Sequence, residues 1–96
     1  MMVNPWHPMN DPVDLKHMGK MLEELGELVA ASARALIQGI DECEPTTGKC
    51  NRDWVSEEMA DVLANIALVE SRFSLHISET RMSRKKFDLM TWHRLA

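Results

Sequence analysis

The chain contains two acidic stretches of the same form, Glu23-Glu24-Leu25-Gly26-Glu27 and Glu57-Glu58-Met59-Ala60-Asp61. In each, two adjacent glutamates are followed, after two other residues, by a further acid, and the surrounding apolar residues recur with a helical period. Two such helices packed side by side would bring at least four carboxylates together. Because like charges repel, an arrangement of this kind needs cations to be stable. The two stretches therefore predict a divalent-metal site at a contact between two helices.

The composition is that of one small folded domain. Of the 96 residues, 45% are hydrophobic and only 5% are aromatic, and eight are methionine, which favours helices over sheets. The formal charge of −4 does not support binding to nucleic acid. No apolar run reaches the roughly 18 residues of a membrane helix. We expect one all-α domain over residues 1–96 that is cytoplasmic and that self-associates, because so short a chain buries little apolar area.

The first long helix is predicted to begin after Asp11 or Asp14, either of which can cap it, and to end near Gly39. An irregular arm over residues 1–13, which contains three prolines, precedes the helix. Trp6 in this arm is expected either to cover the end of the core or to contact a substrate. The apolar residues of the helix recur every three or four positions and form a bundle seam: Leu15, Met18, Leu22, Leu25, Val29, Ser32 and Leu36.

The second long helix is predicted from about Asp53 to about Leu75, after a loop over residues 40–52. Its apolar seam consists of Val55, Met59, Val62, Ile66, Val69 and Phe73. On a helical projection, Glu58 and Asn65 fall within about 60° of the centre of this seam. A carboxylate in an apolar setting costs several kcal/mol unless it is paired or coordinated. This position favours a functional role for Glu58.

The other acids divide between the two sides of each helix. Glu24, Glu27 and Asp61 fall on the flanks next to the seams, whereas Glu23 and Glu57 point away. Lys20 precedes Glu24 by one helical turn. Arg72 lies on the same side as Glu58 and allows a different interpretation, in which Arg72 forms an ion pair with a neighbouring acid.

Two further features complete the chain. Cys43 and Cys50 lack the paired spacing of a zinc site, and we expect free thiols. A third helix is predicted from about Ser78 to Trp92, with its basic residues on the exposed surface. Its inward-facing residues are expected to be Met82, Leu89 and Trp92.

The chemistry of the acidic helices points to a hard cation. Glutamates three residues apart on a helix project toward neighbouring points in space. Ligation by oxygen alone favours Mg²⁺ or Mn²⁺ over zinc, and Mg²⁺ usually shares its coordination shell with substrate phosphates. A di-iron carboxylate bundle needs Glu-x-x-His pairs, which neither acidic helix contains. The expected reaction is the metal-assisted attack of water on a phosphate ester or anhydride.

The stretches Leu22-Glu-Glu-Leu-Gly-Glu-Leu28 and Glu57-Glu-Met-Ala-Asp-Val-Leu63 resemble the E-E-x-x-E…E-x-x-D signature of the all-α nucleoside triphosphate pyrophosphohydrolases. These are the MazG-like proteins and their dimeric dUTPase and dCTPase relatives, and the resemblance covers roughly residues 15–75. It implies an antiparallel helical bundle of two long helices plus a C-terminal helix, completed by assembly into a homodimer or homotetramer. It also implies Mg²⁺-dependent cleavage of (deoxy)nucleoside triphosphates between the α and β phosphates.

The resemblance also implies roles for individual residues. The metal ligands would be Glu24, Glu27, Glu58 and Asp61, and one of the first two would also act on the attacking water. Asn65 matches a position that often contacts the substrate sugar or phosphates in such enzymes. Independently of the resemblance, Lys20 is a candidate for substrate binding, and the basic residues of the third helix are expected either to neutralise the polyphosphate or to form a solvated charged face: Arg81, Arg84, Lys85 and Lys86. Trp6, Trp54 and Trp92 are each expected either to belong to the core or to stack on a base.

Two other functions stay open at this point. One is a phosphoribosyl-ATP pyrophosphohydrolase, although Asn65 occupies a position where that branch typically has histidine. The other is a helical interaction module that has lost catalytic activity.

Overall fold

The computed structural model describes residues 3–95, which form three α-helices and no β-strand. Helix α1 spans Pro12–Gln38, α2 spans Asn51–Arg72 and α3 spans Glu79–Leu95. The all-α class is confirmed, and each predicted helix boundary lies within one turn of the observed one. None of the three helices is both long enough and apolar enough to span a membrane.

Both ends of α1 follow from local chemistry. The side chain of Asp11 accepts hydrogen bonds from the backbone N–H groups of Val13 (2.9 Å) and Asp14 (3.1 Å), so it caps the helix as expected. Pro12 occupies the first turn, where its missing N–H leaves no hydrogen bond unmade. At the other end Gly39 has φ = +112°, a conformation that L-residues rarely adopt, and the helix stops there.

Helices α1 and α2 pack against each other and run antiparallel. At one end the Arg72 Nε atom lies 2.7 Å from Asp14 Oδ1, and a second guanidinium nitrogen lies 3.3 Å from Asp11 Oδ1. At the other end the buried side-chain amide of Asn51 donates to the Gly39 carbonyl, 2.9 Å away. Arg72 therefore does form ion pairs with acids, as the alternative interpretation expects, but these acids are Asp11 and Asp14 at the start of α1 and do not include Glu58.

The face that α1 turns toward α2 differs from the predicted seam. Glu24 and Ala31 are buried, and Met18 and Leu25 of the predicted seam are half-buried. The other apolar members of that seam form an exposed row, which we call the outer stripe; their exposed fractions are 50% for Leu15, 60% for Leu22, 68% for Val29 and 87% for Leu36. Since α1 has apolar residues over more than one face, the α2 contact uses a face about one residue, or 100°, away from the predicted one.

The predicted seam of α2 agrees better with the structure. Val62 and Val69 are buried, and Val55, Ile66 and Phe73 are half-buried, whereas Met59 is exposed. Glu58 and Asn65 are half-buried within this face. The prediction that these two polar side chains intrude on the apolar face of α2 is confirmed.

Helix α3 makes no contact with α1 or α2 within residues 3–95. Met82, Leu89 and Trp92 are each more than half exposed, so the prediction that they face inward is wrong for a single chain. The radius of gyration is 18.0 Å, whereas a compact chain of this length has about 13 Å. A two-helix hairpin with a projecting third helix explains the difference.

The hydrophobic core of the described chain is correspondingly small. Its buried hydrophobic residues are Ala31, Val62 and Val69, and no large side chain in residues 3–95 is fully buried. Trp6 is 76% exposed, so the interpretation in which it covers the end of the core is wrong. A domain with so little buried apolar surface is marginally stable by itself.

The loop between α1 and α2 is a short hairpin closed by a disulfide. Cys43 and Cys50 pair across an antiparallel bridge and are covalently joined, so the prediction of free thiols is wrong. The N–H of Glu44 donates to the Lys49 carbonyl at 2.8 Å, which aligns the two sides of the hairpin. Nothing in the residue spacing reveals this register. In a reducing compartment such as the cytoplasm, disulfides are rare and the pair would be present mainly as thiols.

Candidate metal centre

Three carboxylates from two helices meet at the middle of the α1–α2 contact. Glu24 and Glu27 belong to α1 and Glu58 belongs to α2, and one oxygen of each lies within 4.8 Å of the others. The predicted convergence of the two acidic stretches therefore occurs for three of the four proposed ligands. The packing of α1 against α2 explains it, because both stretches lie midway along their antiparallel helices.

Asp61, the fourth proposed ligand, lies outside this group. It is exposed and follows Glu58 on α2 by three residues, almost one helical turn. Its backbone carbonyl accepts a hydrogen bond of 2.9 Å from the side chain of Asn65. Its assignment as a metal ligand stays a prediction.

Two carboxylate oxygens of the acidic triad, which consists of Glu24, Glu27 and Glu58, are buried without a partner. Glu24 is only 8% exposed, and one of its oxygens lies 3.4 Å from the Lys20 ammonium. Its Oε2 atom and the Oε2 atom of Glu58 are buried and accept no hydrogen bond. A buried acceptor without a partner costs about 1–3 kcal/mol, and more if it is charged. A cation between the helices would satisfy both atoms, and all-oxygen ligation suits Mg²⁺ or Mn²⁺.

The crowding of negative charge shows in the pKa of Glu27, which is raised above the ordinary value of 4.5. The largest cause is repulsion from the Glu24 carboxylate, followed by a hydrogen bond to Glu24 and by partial loss of hydration. Glu58 and Glu23 add smaller repulsions. In the absence of metal, Glu27 therefore holds a proton more tightly than an isolated glutamate does, and a proton and a metal ion compete for this carboxylate.

The pH dependence of stability follows from this shift. Because the folded-state pKa of Glu27 is raised, its contribution to stability is fully present below about pH 4.5 and is lost as the pH rises through the folded value.

Mg²⁺, by contrast, binds best at a pH at which Glu27 has lost its proton. We expect about 10 mM Mg²⁺ to raise the Tm clearly at pH 7.5 and hardly at pH 4.5, as measured by thermal melts across this range. Glu27→Gln should remove most of the difference, and a Mg²⁺ effect independent of pH would contradict the interpretation.

The triad lies between clefts on either side. Toward the start of α1 is a cleft of about 550 Å³, which we call the Lys20 cleft. Its walls include Lys20 and Asn65, two of the predicted substrate-binding residues, together with Leu15 and Leu68. The structure thus brings Lys20 and Asn65 to one cavity, whose walls include none of the three carboxylates. Lys20 connects this cavity to the carboxylates, because its ammonium lies 3.4 Å from Glu24.

Toward the loop is a smaller cleft of about 200 Å³, the Arg34 cleft, which contains Glu27 and Glu58 and ends at Arg34 and Trp54. Arg34 and Trp54 also line a cleft of about 530 Å³ formed by the disulfide hairpin, which we call the loop cleft. The two cavities therefore adjoin at this pair of side chains.

The remaining predicted substrate contacts are not close to the triad within one chain. The residues concerned are Arg81, Arg84 and Lys85 on the projecting helix α3 and Trp6 in the exposed arm. Trp6 lines none of the three clefts described above. Their roles stay predictions that require a second chain or a bound ligand.

Arg34 is a candidate functional residue that was not predicted from the sequence. Its guanidinium carbon lies 4.8 Å from the centre of the Trp54 ring, and the ammonium of Lys49 lies 5.0 Å from the same centre. A signal was available, because Arg34 follows Glu27 by seven residues, two helical turns, and so lies on the same flank. Trp54 likewise precedes Glu58 by one turn.

Neither a protein-family model, nor a curated protein, nor a solved structure matches this chain, so the likeness to the MazG-like enzymes depends on its two acidic motifs alone.

Proposed function

We propose that the protein is a Mg²⁺-dependent nucleoside triphosphate pyrophosphohydrolase that cleaves between the α and β phosphates and releases a monophosphate and pyrophosphate. The observation that carries the proposal is the meeting of Glu24, Glu27 and Glu58 with two buried oxygens that lack partners. Such a group does not stabilise the fold, because the three carboxylates repel one another and two of their oxygens are buried without hydrogen bonds. Binding of a hard cation removes both costs.

The acidic residues of the site have different roles in the proposed reaction. Glu24, Glu27 and Glu58 hold the metal, with Asp61 as the fourth ligand expected from the resemblance. When bound, Mg²⁺ supplies charge neutralisation for the phosphates and polarises their oxygens. Glu27 is the exposed member of the triad, so it can contact a solvent molecule, and the resemblance assigns the activation of the attacking water to Glu24 or Glu27.

The Lys20 cleft suits the nucleoside side of the substrate. Its volume of about 550 Å³ falls within the range of ordinary ligand pockets, and it combines apolar walls with a few polar groups. The Asn65 side chain donates one N–H to the Asp61 carbonyl, so its second N–H and its amide oxygen are left to contact a sugar hydroxyl or a base.

The proposal is tested by measuring pyrophosphate release from a panel of ribo- and deoxynucleoside triphosphates and phosphoribosyl-ATP. We expect release with Mg²⁺ or Mn²⁺ and none in the presence of a chelator. Product analysis should find nucleoside monophosphate, because cleavage between the β and γ phosphates would yield diphosphate instead. Turnover of phosphoribosyl-ATP alone would assign the protein to that related activity. No turnover of any nucleotide would favour a catalytically inactive helical module.

We also propose that the working form is a homodimer or homotetramer. The small core and the exposed outer stripe on α1 support this proposal, because apolar residues seven positions apart form one continuous face along a helix. The projecting helix α3 supports it too, since within residues 3–95 its basic residues form no salt bridge with an acidic group of the α1–α2 pair.

A further inference from the structure

Arg34 is a half-buried cation that the protein itself does not neutralise. Within residues 3–95 it takes part in no salt bridge, and its side chain donates no hydrogen bond to any described group. By contrast, Lys20, Lys49 and Arg72 all have carboxylate partners. A guanidinium has five N–H donors and cannot lose its charge at physiological pH. A guanidinium that lies at a cleft and donates no hydrogen bond to the protein is suited to bind an anionic ligand.

Trp54 supports Arg34 without consuming its donors. The 4.8 Å separation between the guanidinium carbon and the ring centre is a cation–π contact. A contact of this type orients the guanidinium through its face and leaves the N–H edge free for a bidentate anion. Trp54 is thus a positioning residue for Arg34.

Arg34 and two members of the acidic triad line the same cleft. Glu27 and Glu58 lie at one end of the Arg34 cleft, and Arg34 and Trp54 lie at the other. Between them the walls are formed by Ala30 and Ala31, whose small side chains leave space for a ligand. Glu27 and Arg34 are about 10 Å apart along the helix axis, and the long arginine side chain can cover much of that distance. A phosphate next to the triad and a second phosphate next to Arg34 fit this arrangement.

Other groups near the cleft are poorer candidates for holding an anion. Lys49 is engaged by the Glu57 carboxylate. The first N–H groups of α2 are also occupied, because Asn51 N–H donates to Glu42 O at 2.9 Å and Arg52 N–H donates to Ile40 O at 2.8 Å. Arg34 is therefore the free cation on this side of the triad among the described residues.

The loop cleft beyond Arg34 limits the length of the anion. It is lined in part by Glu42 and Glu44. Hydrogen bonds from the Thr47 side chain and from the backbone of Thr46 and Thr47 lower the pKa of Glu44 to about 2, so this carboxylate is charged at neutral pH. Further negative charge would be repelled there, which suits a ligand that ends in two phosphates next to Arg34.

We infer that Arg34, oriented by Trp54, binds the β and γ phosphates of the substrate, the group that leaves as pyrophosphate. This inference rests on the proposed function and assigns a direction to the substrate, with the nucleoside in the Lys20 cleft and the phosphate tail toward the loop.

The test uses the fluorescence of Trp54 with inorganic pyrophosphate as the probe. In a Trp6→Phe/Trp92→Phe background, Trp54 is the only tryptophan, and both replaced side chains are exposed. We expect pyrophosphate, in the presence of about 5 mM Mg²⁺, to change this fluorescence saturably. Arg34→Ala should weaken pyrophosphate binding by roughly 10- to 100-fold, and Arg34→Lys should restore part of it. Without pyrophosphate, the background protein and its Arg34→Ala and Arg34→Lys variants should bind Mn²⁺ with the same affinity, because Arg34 is not a metal ligand.

Two results would overturn the inference. One is unchanged pyrophosphate affinity in Arg34→Ala. The other is a response of Trp54 to a nucleoside without phosphates and none to pyrophosphate, which would make Trp54 a base-stacking residue.

The same experiment separates this inference from the proposed function. If no nucleotide is hydrolysed but pyrophosphate binding depends on both Mg²⁺ and Arg34, the subsite exists and the catalytic proposal fails. If nucleotides are hydrolysed and Arg34→Ala leaves both KM and pyrophosphate affinity unchanged, the enzyme assignment holds and the subsite is rejected.

Discussion

Replacing Glu58 with glutamine is expected to lower Mg²⁺-dependent pyrophosphate release by about 1000-fold or more. The substitution keeps the size of the side chain but removes a negative charge from the centre of the triad. Without metal the same change should stabilise the protein, because it removes the repulsion between Glu58 and the other two carboxylates and gives the buried position of Oε2 an N–H donor that can bond to one of them. Removal of a penalty of about 1 kcal/mol corresponds to a rise in Tm of roughly 5 °C in a domain of this size.

Steady-state kinetics and thermal melts with and without Mg²⁺ measure both effects. The matched control is Glu57→Gln, which makes the same chemical change one residue earlier on α2. Glu57 is exposed and pairs with Lys49, so its loss should leave the Mg²⁺-dependent rise in Tm intact. If Glu58→Gln retained activity, or lowered the Tm of the metal-free protein, Glu58 would have a structural role in place of metal binding.

The double substitution Leu22→Glu/Val29→Glu is expected to convert the proposed homo-oligomer to monomers. These residues are 60% and 68% exposed in the single chain and lie at the centre of the outer stripe. Burying two carboxylates in an apolar contact between chains would cost several kcal/mol at each, which exceeds what a small interface can offset. Light scattering coupled to size-exclusion chromatography at micromolar concentration measures the change in mass.

Ala60→Glu/Ala67→Glu is a suitable control, because it adds the same two charges at exposed positions on the outer side of α2. The control variant should keep the mass of the parent protein. If the parent protein is itself a monomer at micromolar concentration, or if the Leu22/Val29 variant assembles like the parent, the outer stripe is not the interface.

Much of the candidate site was predictable from the spacing of the acids. Glu24 and Glu58 lie on the sides of their helices that face each other, and the fixed geometry of an α-helix makes such a projection reliable. The same geometry correctly directs Glu23 and Glu57 away from the contact. For Asp61 the helical projection is not decisive, because a residue about 100° from the seam centre can lie inside or outside the site depending on small rotations of the helix.

Contacts between residues distant in the sequence were less predictable. Arg72 pairs with Asp14, 58 positions away along the chain, and only the antiparallel overlap of α1 with α2 decides which acid it meets. The pairing of Arg34 with Trp54 likewise requires the two helices to be aligned. The disulfide between Cys43 and Cys50 depends on the register of a hairpin that no residue pattern specifies.

The sequence by itself determined the helices, their ends and the acidic faces, because capping, glycine conformation and helical periodicity act within a few residues. Only the tertiary structure decided which face of α1 meets α2, since α1 has apolar side chains around much of its circumference and either face could be buried. It also decided that α3 projects from the pair. These choices depend on how side chains of one helix fit the surface of another, a property of the packed pair that neither helix contains alone.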